Sequence, residues 1–234
     1  MPVVTISRMM GANGDAVAEM VARQLGARLI DKASIFEAAR KSGVSATTLA
    51  EIQSDAAVSL ADRILLAVRT MPMLPRARGG SLLDAAPLPL SHEGMPPAIP
   101  TQFELDQGAR VLEKVIRGLA EGRNVVILGR AAHLILRDRP NVVRVQIVAP
   151  LNHRIAVVSS AEKIEPREAL ARLRASDKAR ADYIRRYYNA GWTDPVHFDL
   201  VLNSLRIDTA LAARLVVSLV ETRRDTLSQL PQES

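Results

Sequence analysis

Short apolar runs alternate along this chain with longer segments in which apolar residues recur every three or four positions. Apolar runs of strand length with no polar alternation are those of strands covered on both faces. Five stretches read as strands: Pro2–Ser7 (PVVTIS), Ala27–Ile30 (ARLI), Asn124–Leu128 (NVVIL), Val142–Val148 (VVRVQIV) and Asp199–Asn203 (DLVLN). Helices are expected over Asp15–Leu25, Ser34–Lys41, Ala56–Thr70, a Thr101 cap through Leu119, Ala131–Leu136, Leu151–Val158, Glu165–Tyr188 and Asp208–Leu219. Ser45 can cap a further helix toward Ile52, and Gly26, Gly43 and Gly122 are stops. Strands that alternate with helices predict an α/β domain of three layers, with a parallel sheet of about five strands covered on both faces.

Met71–Pro100 breaks the pattern with Pro72, Pro75, Pro87, Pro89, Pro96, Pro97, Pro100 and Gly79-Gly80. No period survives there, and a long loop is expected, mobile or in contact with a second copy rather than with substrate. The organisation predicted is one domain over residues 1–224, with its core in 1–32 and 124–224. A helical and Pro-rich insertion occupies 33–123, a helical lid about 165–195, and a polar, fraying tail 225–234.

Composition narrows the classes. The chain has 234 residues and no cysteine, which excludes disulfides and any cysteine-based metal or redox site. No apolar run approaches the roughly 20 residues of a membrane span, and Met1 leads into a strand with no basic leader. A soluble, cytoplasmic protein is the expectation, with no membrane partner. The net charge is +6 and is carried mostly by arginine, which suits bidentate contacts to phosphate. Aromatic residues make up only 3%, too little stacking surface to favour nucleic acid as a partner.

Ligands of open parallel sheets lie at the carboxyl ends of the strands. Here those ends carry Ser7-Arg8, Asp31-Lys32, Gly129-Arg130, Ala149-Pro150 and Asn203-Ser204. The first is followed by the turn Arg8–Gly14 (RMMGANG) and then a helix. A strand entering a helix through small residues brings backbone N–H groups and the positive helix end onto one point, where phosphate binds. The phosphate-loop pattern G-x-x-x-x-G-K-[ST] is built this way. Laid on that pattern, Gly11, Ala12 and Asn13 fill the glycine-rich part, Gly14 takes the Lys place and Asp15 the Ser/Thr place.

Arg130 can reach into the cleft from its strand end, or simply close that strand at the surface. Asp31 and Lys32 can orient a sugar or a second phosphate, or serve as a helix N-cap and a solvated lysine. His133, His153 and His197 earn no role from spacing. In Glu165–Tyr188, Arg174, Asp177 and Lys178 share a helix face with Arg180 nearby. That face reads either as a solvated, salt-bridged surface or as a lid that brings arginines onto transferring phosphates. Gly191-Trp192 would then be its hinge.

Several segments in order carry a family pattern: the first strand and its Gly turn, Asp31-Lys32, V-V-I-L-G-R-A-A-H, V-R-V-Q-I-V-A-P-L-x-x-R, D-K-A-R-x-x-Y and H-F-D-L-V-L-N. Together they resemble the cytidylate kinase-like family, a divergent branch of the P-loop nucleoside monophosphate kinases. The resemblance covers most of Val3–Leu219 outside the Pro-rich stretch.

The resemblance implies a phosphotransferase that moves the γ-phosphate of ATP, with Mg²⁺, to CMP or dCMP. It assigns Gly11–Asp15 to the donor phosphates, Arg130 to the acceptor phosphate, and Asp177 and Arg180 to charge on the transferring group. Three departures stand out. The P-loop lysine is absent, Ala131 replaces the Asp that follows Gly-Arg in cytidylate kinases, and Asp15 stands where a Ser or Thr would help hold Mg²⁺. Asp15 can bind the metal or repel the phosphates, and Arg8 can swing in for the lysine. Two readings follow: a catalyst, or a nucleotide-binding or regulatory protein that kept the fold without efficient transfer. A homo-oligomer is compatible with either.

Overall fold

A computed structural model describes residues 2–43 and 102–229. The expected helix over Ala56–Thr70, the Ser45 cap and the Pro-rich stretch lie outside the described residues.

Five parallel strands make the sheet: β1 (Val3–Arg8), β2 (Arg28–Ile30), β3 (Val125–Leu128), β4 (Val142–Val148) and β5 (Leu200–Asn203). Their order is β2-β3-β1-β4-β5, so the chain's first strand lies at the sheet's centre. Ile6 pairs with Leu128 on one side and Val145 on the other. That pairing brings the carboxyl ends of β1, β3 and β4 side by side.

The helices are α1 (Gly14–Gln24), α2 (Lys32–Lys41), α3 (Gln102–Leu119), α4 (Ala132–Ile135), α5 (Leu151–Glu162), α6 (Pro166–Tyr188) and α7 (Thr209–Gln229), numbered over the described residues. Successive strand residues feed opposite faces, because side chains alternate along a strand. Val4 and Ile6 pack with Val126, Val143 and Val145 against Val17 and Val21 of α1 and Val216 of α7. Val3, Val125 and Ile127 face the other way, against Ile35 of α2, Leu112 and Ile116 of α3, and Ile184 of α6. Three layers result, as the apolar runs predict.

Three details depart from the sequence expectation. The helix α2 begins at Lys32 rather than Ser34, because the Asp31 carboxylate accepts from the Ser34 N–H (2.9 Å) and hydroxyl (2.7 Å) and caps it. The last helix continues past Leu219 to Gln229. Its polar segment is anchored: Arg223 donates to the Asp199 carboxylate at 2.9 and 3.1 Å and to the Val142 carbonyl at 2.8 Å. Asp199 also accepts from the Arg144 N–H at 2.7 Å. Burial pushes the Asp199 carboxyl up, but these donors outweigh it and hold the group below the usual carboxylate value. Finally, Gly191-Trp192 is no free hinge. Trp192 is buried in the core face that holds Ile184, and its carbonyl accepts from the buried Gln146 amide at 3.3 Å.

His133 sits inside α4, buried and stacked on Phe198 with 4.5 Å between ring centroids. Burial, with the nearby charges of His197 and Arg144, pushes its pKa down to about 3. A neutral, packed imidazole is the outcome, not a base. The unfolded chain takes up a proton near the ordinary value of 6.5, whereas the folded chain refuses it until about 3. Stability therefore falls as pH drops through that window, with a slope approaching about 1.4 kcal/mol per pH unit for this one group. Denaturant melts between pH 7 and 4 should show the slope, and His133→Phe should flatten it. An unchanged slope in that variant would remove His133 as its source.

Candidate functional site

The site starts at the end of the central strand. After Arg8 the chain turns, with the Met9 N–H donating to the Ile147 carbonyl (3.0 Å) and the Ala12 N–H to the Met9 carbonyl (3.2 Å). Gly11 has φ +76°, and a Cβ there would lie 3.0 Å from the Arg154 carbonyl of α5. Both the left-handed backbone and the close approach require glycine at that position. Asn13, also left-handed at φ 56°, precedes α1 and makes no side-chain cap. The first intrahelical acceptor is the Asn13 carbonyl, taken by Val17 at 3.2 Å. The opening N–H groups of α1 thus have no intrahelical acceptor and face the turn, as the first residues of any helix do. A positive helix end with free donors favours an anion.

Arg8 crosses this opening. Its Cγ passes 2.7 Å from where a Cβ of Gly14 would stand, and its Nη1 lies 2.7 Å from the corresponding point on Gly129. The guanidinium ends on Asp15, with Nη2–Oδ1 at 2.9 Å and Nε–Oδ2 at 3.3 Å. The Asp15 side chain is 64% exposed and that of Arg8 21%. Such an open pair is screened by water and adds little stability. The side chain of Arg8 therefore occupies the place between β1, β3 and α1, with its cation at the helix opening.

The helix α6 holds the same turn directly through Arg180 and, by way of Arg154 of α5, through Asp177. Arg180 donates from Nη1 to the Arg8 carbonyl at 3.2 Å and lies over the Trp192 ring at 5.6 Å. Asp177 accepts two bonds from Arg154, at 2.9 and 2.7 Å, while Arg154 Nη1 lies 3.4 Å from the Met10 carbonyl. Arg154 is only 4% exposed. Asp177 is thus a partner that positions Arg154, and Arg154 joins α5, α6 and the turn. Lys178, by contrast, pairs with Asp182 on the exposed side, so the helix carries a solvated salt-bridged face as well. Arg174 is exposed; α6 meets the turn through Arg180 and through the packing of Met10 on the cluster that holds Ala169 and Leu173, and Asp177 acts on it only through Arg154.

At the end of β3, Gly129, Arg130 and Ala131 all take positive φ, 79°, 54° and 55°. Left-handed backbone at two adjacent non-glycine residues costs roughly 1–3 kcal/mol each. Such strain is characteristic of functional turns. It sends the Arg130 guanidinium over the Phe36 ring of α2, 4.6 Å from the centroid. Asp31 directs its carboxylate to the α2 N-terminus, and the Ser34 hydroxyl and N–H hold its pKa low. Lys32 is the first residue of α2.

The structure therefore brings Arg8, Asp15 and Gly129 together at the opening of α1, with Arg180 holding the Arg8 carbonyl, while Asp177 is engaged by Arg154 and the Arg130 guanidinium lies over Phe36. Arg154 is the residue the sequence reading leaves without a role. Its only sequence signal is its place in the L-x-x-R after β4.

Residues 3–206 match the model of the cytidylate kinase-like family. The chain belongs to the cytidylate kinase-like family. Its five-stranded parallel sheet with helices on both faces is the P-loop kinase architecture, and phosphoryl transfer is the family's class of chemistry. An uncharacterised protein from Eubacterium ventriosum is similar in fold, with TM-score 0.64 and 18% identity over 95% of this chain and 99% of that one. A shikimate kinase from Acinetobacter baumannii in complex with shikimate aligns at TM-score 0.45 and 14% identity, over 99% and 96% of the two chains. No curated protein matches. Among the described residues, no helix is long and apolar enough to cross a membrane.

Proposed function

We propose that this member of the cytidylate kinase-like family is an ATP-dependent phosphotransferase acting on a nucleoside monophosphate, with CMP or dCMP as the first acceptors to test. The observation that carries the proposal is the placement of Arg8. A cation lies across the open N-terminus of α1 where the sequence has lost its lysine.

The residues fit a polyphosphate. The N–H groups opening α1 have no side-chain cap from Asn13, and the guanidinium of Arg8 reaches the same first turn at Asp15. Among the described residues no three His, Asp or Glu side chains cluster as a metal cage. Mg²⁺ bound through nucleotide phosphates needs only one or two carboxylates and keeps its waters, so Asp15 suffices as the protein ligand. Bound there, Mg²⁺ would neutralise charge building on the phosphate oxygens.

In this scheme Arg8 exchanges the Asp15 carboxylate for a donor phosphate, which frees Asp15 for the metal. Arg180 holds the turn through the Arg8 carbonyl and supplies a second positive charge. Arg154 and Asp177 keep α6 seated. Arg130, strained into position at the end of β3, receives the acceptor phosphate, with Phe36, Asp31 and Lys32 on the acceptor side. Arg174 joins only if α6 moves toward the ligand. Transfer of this kind needs positioning and cation density rather than a chemical base.

The alternative reading, a nucleotide-binding or regulatory protein without efficient transfer, is favoured by the Arg8–Asp15 pair itself, since the cation is already engaged. A coupled assay for ADP release with ATP, Mg²⁺ and each common nucleoside monophosphate decides between them. Turnover with one acceptor well above background ATP hydrolysis is expected. Nucleotide binding without ADP release for any acceptor would leave the binding reading.

A further inference from the structure

Away from the phosphate opening, the C-terminal end of α6 meets α3 and α4 around a separate cavity of about 380 Å³. That volume falls at the lower end of the roughly 300–1,000 Å³ of small-molecule sites. Its charge is lopsided. Arg117 is engaged by Glu113 at 3.1 Å and by Asp138 at 3.1 and 3.2 Å. Arg137 and Arg186 also line the cavity and are exposed. No acidic side chain among the described residues forms an ion pair with either of them, and Arg186 instead stands 5.7 Å from the Tyr187 ring centre. Leu134 and Ile135 of α4, Tyr187 and Tyr188 of α6, and Asn189 complete the lining, with the Glu113 carboxylate engaged by Arg117.

Two uncompensated guanidiniums beside an apolar wall and an aromatic face select an anion with a small organic body. Guanidinium forks match phosphate oxygens, and the ring face suits a planar group. We infer that this cavity is a second ligand site, for a phosphate monoester of about mononucleotide size, separate from the α1 opening. The inference does not depend on whether the protein transfers phosphate. Helix α6 touches both places: Arg180 holds the Arg8 carbonyl of the turn, and Arg186 to Tyr188 line the cavity about two turns further on.

The test is a titration of isotope-labelled full-length protein with inorganic phosphate and with AMP, read by amide NMR. Saturable shifts of the Arg137, Tyr187 and Asn189 amides are expected, with AMP saturating at lower concentration than phosphate. In Arg137→Ala/Arg186→Ala the affinity read at the remaining cavity amides should fall about tenfold or more. Shifts at Gly11–Asp15 and the melting temperature should stay as in the parent. Absence of saturable shifts at the cavity with either probe would overturn the assignment, as would an unchanged affinity in the double variant. The milder Arg137→Gln/Arg186→Gln pair repeats the measurement if the alanine variant is poorly folded.

Discussion

Turnover of Arg8→Ala, measured with ATP, Mg²⁺ and the best acceptor, is expected to fall by about 10²–10³-fold. Removing one donor aimed at developing charge in a partly enclosed site has effects of that order. Two causes would contribute, and they can be separated. The variant loses a cation at the α1 opening, and it also leaves the Asp15 carboxylate free to repel phosphate. Adding Asp15→Asn relieves the second cause but also weakens the proposed metal ligand, so the double variant is compared with Asp15→Asn alone. If Arg8→Ala/Asp15→Asn is as active as Asp15→Asn, Arg8 serves only to neutralise Asp15 and does not replace the lysine. If the double variant stays well below Asp15→Asn while ATP still binds, Arg8 acts on the transferring charge. Unchanged kinetics in Arg8→Ala would end the proposed role altogether.

The second large effect is on stability. Arg154→Ala removes one side of a buried, two-bonded ion pair and leaves Asp177 without its partner. Breaking such pairs typically costs 3–5 kcal/mol. Because the Asp177 side chain is 27% exposed, the lower end, about 3 kcal/mol, is expected. For a chain of this size that corresponds to a drop in Tm of roughly 6–12 °C. Asp177→Ala should cost a comparable amount, and the two together little more than either alone, since they remove one interaction. Additive losses would show that the pair is not the link between α5, α6 and the turn. The pair also bears on catalysis: Arg154→Ala should loosen the turn through Met10 and raise KM for ATP more than it lowers kcat.

The sheet was legible because its central strands are covered on both faces. Residues 125–128 and 142–148 then show as apolar runs, and the intervening helices keep their own period. What the sequence could not show depends on contacts distant along the chain. The last helix looks polar after Leu219, yet Arg223 finds Asp199 and keeps it folded. Gly191-Trp192 has the composition of a hinge, but the ring is held inside the core. Asp31 had two open readings, and Ser34 three residues on takes its carboxylate as a cap.

In the site, the small-residue turn and the arginines at strand ends were readable, since strand ends can be located from pattern alone. The role of Arg154 was not. Its partner lies 23 positions away, and an arginine in a helix is ordinarily solvated. The missing lysine was visible at once, and Arg8, which the sequence offers as its substitute, lies between Gly14 and Gly129.

Gly14 makes that arrangement hard to reverse. Any side chain at position 14 begins with a Cβ that would collide with the Cβ of Arg8. That atom is present in every residue but glycine, so shortening Arg8 to alanine does not clear the way. A lysine written into position 14 would therefore distort the turn before its amine reached a phosphate. Placing a lysine cation at this point would require a change in the length or path of the turn, not a change of one residue.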